Sequence, residues 1–110
     1  MNDPTMSGDK PASTVLAHAE KAFAEGFGGI IELIPDDCPS IWIDGRSEKA
    51  IARATQPKNQ KSDCVWRGAQ DALMQALESE KALDSAFLSG RIFISGDMSV
   101  MTRLSMATKR

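Results

Sequence analysis

The chain has 110 residues, 42% of them hydrophobic and 25% charged, with a net charge of −2. That length holds one domain around a single core. The near-neutral balance excludes an electrostatic binder of nucleic acid, which concentrates a basic excess. No apolar run approaches the ~20 residues that span a bilayer. Residues 1–13 lack the apolar centre of a signal peptide, so the expected location is cytoplasmic.

Residues 1–12 mix Asn, Asp, Pro, Thr, Ser and Gly and read as a flexible arm ahead of a single domain over 13–110. From Ser13 the apolar spacing is helical, with Leu16, Ala19, Phe23 and Phe27 on one face, and Gly26, Gly28 and Gly29 end the helix. Residues 30–34 are short, apolar and β-branched, as a strand requires. Pro35-Asp36-Asp37-Cys38-Pro39 is a turn, because its prolines cannot donate to a ladder. Ile41-Trp42-Ile43-Asp44 forms a second strand with Ile41 and Ile43 on one face, and a weaker third runs over about 50–55. Residues 56–61 are a polar loop around Pro57, which Lys58 and Lys61 keep solvated. Asp63-Cys64-Val65-Trp66 is a fourth strand, broken by Gly68. Two helices follow, over 70–78 with Leu73, Ala76 and Leu77 on one side, and over 81–89 with Leu83, Phe87 and Leu88.

The densest signal is Gly90-Arg91-Ile92-Phe93-Ile94-Ser95-Gly96-Asp97-Met98. Gly90 closes the preceding helix through a left-handed C-cap. Residues 91–95 form a strand, Gly96 turns the chain, and Asp97 caps the next helix by accepting from an orphan N–H. That last helix, over 98–108, places Val100, Met101, Leu104 and Ala107 on one face. The expected fold class is α/β in the α+β sense: a five-stranded mixed, mainly antiparallel sheet with helices covering one face. The first three strands suit a meander. The helices between the fourth and fifth strands are long enough to cross over the sheet.

Catalytic chemistry has few carriers. His18 is the single histidine and is expected at the surface, without the orienting partner a general base needs, and there is no tyrosine. Asp36-Asp37 reads as a solvated turn. Asp44, Asp63, Asp71 and Asp97 form no Asp-x-Asp-x-Asp-Gly loop that would hold a cation. Cys38 and Cys64 have neither zinc nor redox spacing and read as reduced, buried, small apolar groups. The glycines at 26–29 precede a strand, the wrong order for a phosphate-cradling turn. No catalytic residue, metal or cofactor is expected. Met74, Met98, Met101 and Met106 fall on helices, where methionine suits either an adaptable ligand surface or an ordinary core.

The residues also match a family. An apolar strand at 30–34, a second strand ending in Asp44, Asp63-Cys64, an amphipathic helix over 69–77, and Ala86-Phe87-Leu88-Ser89-Gly90 running into Ile92–Met98 together resemble the sterol carrier protein 2 family of lipid-binding domains. The resemblance covers about 16–108, and its C-terminal motif is the most specific part. It implies a five-stranded sheet with helices over it, an apolar cavity for an acyl chain, acyl-CoA, phospholipid or sterol, and no catalytic residues. Two departures bear on the cavity. The crossover region is short, which makes the cavity small or collapsed. Trp66 and Arg67 also put bulk and charge near the fourth strand, where Trp66 either narrows the cavity or stacks on a ligand.

The expected function is non-enzymatic lipid binding or transfer, with the chain's brevity favouring fatty acids or isoprenoid lipids over sterols. The lipid would lie between the sheet and the C-terminal helix, lined by Leu73, Leu77, Phe87, Ile92, Ile94, Met98, Met101 and Leu104. The alternative is an accessory or dimerising domain whose partner is a second copy or an enzyme. Neither reading involves nucleic acid or an integral membrane segment.

Overall fold

The computed structural model describes residues 10–58 and 60–104. The elements run α1 (Lys10–Ala22), β1 (Ile30–Pro35), β2 (Ile41–Asp44), β3 (Ile51–Arg53), β4 (Cys64–Gly68), α2 (Gln70–Ala76), α3 (Glu80–Leu88), β5 (Ile92–Gly96) and α4 (Ser99–Thr102). The strands form one sheet in the order β3-β2-β1-β4-β5. β1, β2 and β3 make the expected antiparallel meander. β4 then runs parallel to β1, and β5 returns antiparallel to β4.

Strand alternation sorts the sheet into two faces. Ile31, Leu33, Ile41, Ile43, Cys64, Trp66 and Ile92 point to the core and are buried. α1 lies over β2 and β3, α2 over β1 and β4, and α3 beside β5. The opposite face carries Ile51, Arg53, Trp42, Glu32, Ile34, Val65, Arg67 and Phe93.

Four expectations need correction. The helices α2 and α3 do not carry the chain across other strands, because β4 and β5 are neighbours. α1 stops at Ala22, short of Phe27, because the following backbone finds partners elsewhere: Gly26 N donates to Glu48 O, and Phe27 N and Gly28 N both donate to Gly45 O, each at 2.8 Å. Phe23 and Phe27 are still buried, with ring centroids 6.0 Å apart. Cys38 is half-buried, whereas Cys64 is fully buried. α4 is also shorter than the expected last helix: it ends at Thr102, before Leu104, while Met106 and Ala107 lie outside the described residues, as do residues 1–9 of the expected arm.

Candidate functional site

The residues expected to line a site divide by position. α2 presents Leu73 and Leu77 one turn apart, and β5 presents Ile92 and Ile94 two apart, so all four face inward. Leu73, Leu77 and Ile92 are buried in the core, with Ile94, Met101 and Leu104 packed against it. Phe87 and Met98 stand at the surface, 41% and 44% exposed.

A cleft of about 300 Å³ lies between α3 and the C-terminal segment, lined by Glu80, Leu83, Asp84, Met101, Thr102 and Leu104. Leu83, Met101 and Leu104 make its apolar wall, and the exposed Glu80 and Asp84 put carboxylates at its mouth. Ligand pockets span ~300–1,000 Å³, so this one is at the small end. A second cleft of about 270 Å³ opens between Ala17, His18 and Lys21 of α1 and Leu77 and Glu78 after α2. The larger hollow, about 470 Å³ around Gln56, Pro57, Lys58, Gln60 and Lys61, is bounded by one polar loop. Its walls come from that loop alone, with no helix or sheet face to enclose a ligand.

The middle of the core is filled. Trp66 is completely buried and meets Phe23 edge-on, with centroids 5.9 Å apart. Trp66 lines none of the clefts described above, so it occupies space instead of facing a groove. Arg67 falls on the other face of the sheet, which keeps its charge away from the core.

The C-terminal segment is held by specific bonds. Asp97 Oδ1 accepts from Ser99 N at 2.9 Å and Ser99 Oγ at 2.6 Å, the capping role its position predicts. These bonds, helped by the Arg103 charge, hold the Asp97 carboxyl below its usual range. Arg103 Nε donates to Phe27 O at 2.7 Å, and Val100 is buried. Arg103 was not foreseen, since its bond joins residues 76 apart in sequence and no local pattern marks it. Asp63 is a second unforeseen tie: its carboxylate accepts from Ile30 N at 2.8 Å, its N–H donates to Ile30 O, and its carbonyl accepts from Asp97 N at 2.7 Å. Burial pushes the Cys64 thiol up, away from the thiolate that reactive cysteines need. Among the described residues, no group of three or more His, Cys, Asp or Glu converges on a metal position, and no helix is long and apolar enough to cross a membrane.

The model of the SCP-2 sterol transfer family matches residues 13–109. No curated protein matches significantly. Among solved structures, a ubiquinone synthesis protein described as UbiJ-SCP2 is similar at a TM-score of 0.57 and 15% identity, over 90% of this chain and 79% of its own. Sterol Carrier Protein 2 from Yarrowia lipolytica, in its apo form, is similar at 0.52 and 14%, over 94% and 82%. Sterol Carrier Protein 2 Like 2 from Aedes aegypti is similar at 0.53 and 15%, over 89% and 93%. At such identities these likenesses establish a shared fold.

Proposed function

Because the chain belongs to the SCP-2 sterol transfer family, we propose that it binds or transfers a lipid whose chain enters between α3 and α4, without catalysing a reaction. The observation that carries this reading is the cleft of about 300 Å³ walled by Leu83, Met101 and Leu104. Leu73, Leu77 and Ile92 belong to the core that Ile94, Met101 and Leu104 pack against, and Phe87 and Met98 stand near the surface ends of α3 and α4. Each methylene taken from water contributes roughly 0.8 kcal/mol, so a long chain outweighs the cost of shifting a four-residue helix. The exposed Asp84 at the mouth disfavours a free carboxylate, because like charges repel at short range. A neutral end group, as on an isoprenoid lipid, fits this rim better than a fatty acid does.

Native mass spectrometry of gently purified protein tests the reading. The expected result is a co-purifying lipid, and a rise in melting temperature when lipid is added, since a ligand of the native state stabilises it. Met101→Asp should cut uptake by about tenfold or more, because it places a charge against the apolar wall. Lipid-free protein whose melting and tryptophan emission ignore both isoprenoid and acyl ligands would sink the proposal. A second reading, an accessory domain serving a partner protein, is favoured by Leu88 and Phe93, which are 81% and 65% exposed.

A further inference from the structure

The two edges of the sheet are built differently. At one edge β3 is only Ile51–Arg53, and the run into it is already bonded: Gly26 N donates to Glu48 O and Ala50 N to Ala24 O. At the other edge β5 spans five residues and contains neither lysine nor proline, the residues that commonly guard an edge. Antiparallel ladders bond alternate residues to each side. Asp97 N donates to Asp63 O, which continues the β4–β5 register and directs the odd-numbered residues of β5 toward β4. The N–H and C=O groups of Ile94 and Gly96 therefore face outward, and no described residue bonds to them. Ile92, in the same phase, is shielded by its burial.

Exposed apolar side chains flank this edge on both sides of the sheet. Phe93 stands on the face opposite the helices, and Phe87 and Leu88 sit at the end of α3, which lies beside β5 on the helix face. The strand is also charge-antisymmetric about Ile94, with Arg91 before it and Asp97 after it. Arg91 bonds only neutral partners, Ser89 Oγ and Gln75 Oε1, and Asp97 bonds Ser99. Neither forms an ion pair among the described residues.

We propose that β5 pairs antiparallel with β5 of a second copy, about a two-fold axis through Ile94, giving one sheet continuous across both protomers. In that register Ile94 exchanges both backbone bonds with its own copy. Phe93 lies opposite Ser95 of the second copy, and each Arg91 faces the other chain's Asp97. A two-fold contact of this kind uses up the edge in both partners, so assembly stops at the dimer. The inference does not depend on the lipid reading.

Sedimentation equilibrium across the micromolar range tests it, together with amide hydrogen exchange. A dimer is expected. Dilution should free the amides of Ile94 and Gly96, while those of Phe93 and Ser95, bonded to β4, stay protected. Arg91→Asp should weaken the dimer about tenfold or more by setting like charges opposite each other. Adding Asp97→Arg to it should restore the dimer, because both ion pairs reform with reversed sign. Phe93→Lys, at an exposed position, should abolish it without unfolding the chain. A wild-type monomer throughout the range overturns the proposal. So does a dimer that neither Arg91→Asp nor Phe93→Lys weakens, or one whose Ile94 amide exchanges as fast as in the monomer.

Discussion

Trp66 determines how much room the core leaves. It is the largest fully buried side chain, and it sits on the β4 face that α2 covers. Its indole N–H finds no hydrogen-bond partner. The Cys64 thiol, two residues along the same face, interacts with it enough to offset part of the upward shift that burial imposes on that thiol. The contact is too loose to count as a hydrogen bond. An unsatisfied buried donor costs ~1–3 kcal/mol, so Trp66 is a compromise between volume and polarity. Trp66→Ala should destabilise the protein by about 3–5 kcal/mol in denaturant titrations. Trp66→Phe should cost less than about 2 kcal/mol, because losing the orphan N–H offsets part of the lost packing. A Phe variant as damaged as the Ala variant would show that the indole N–H is satisfied in solution.

Element ends show what local sequence can and cannot specify. The end of α3 was legible in detail. Gly90 adopts φ +80, its N–H donates to Phe87 O at 3.1 Å, and Arg91 N donates to Ala86 O at 2.9 Å, the paired bonds of a Schellman motif. A Cβ at Gly90 would meet nothing within 4 Å, so the cost of Gly90→Ala is purely conformational. That cost should be ~1–2 kcal/mol, read as a lower denaturation midpoint with an unchanged slope. No loss of stability would mean that α3 ends differently in solution. The end of α1 was not legible. Phe23 and Phe27 keep helical spacing, but Gly45 and Glu48, from a later part of the chain, capture the backbone of Gly26, Phe27 and Gly28. A periodicity scan registers which side chains are buried, and it was right about both phenylalanines. It has no access to the carbonyls that a distant turn supplies.

For the whole molecule, composition and strand patterning were enough for a five-stranded mixed sheet with one covered face. Alternation in Ile41-Trp42-Ile43-Asp44 and in Ile92-Phe93-Ile94 identified the inward residues, because a sheet covered on one face sorts side chains with period two. Strand order was harder, since the partner of an apolar strand is decided by chain closure and not by its own residues. Of the expected site residues, Leu73, Leu77 and Ile92, marked by periodicity, fall in the core, while Met101 and Leu104 border the α3 cleft, whose Glu80, Leu83 and Asp84 no sequence pattern marked as a site. α3 turns Leu83 and Ala86 to the core, which leaves Phe87 and Leu88 exposed at its end.

The parallel pairing of β1 with β4 has a kinetic consequence. The meander from β1 to β3 and the unit from β4 to β5 are each assembled from residues close in sequence. Within the sheet they meet along the seam Ile31–Cys64, Leu33–Trp66 and Pro35–Gly68. Closing that seam requires the loop entropy of the whole intervening chain before any contact repays it. Folding should therefore be limited by seam closure. Shortening the polar 54–62 connection should speed refolding in stopped-flow measurements while barely changing the unfolding rate. A polar connection outside the sheet ladders would then set the rate at which the structure forms.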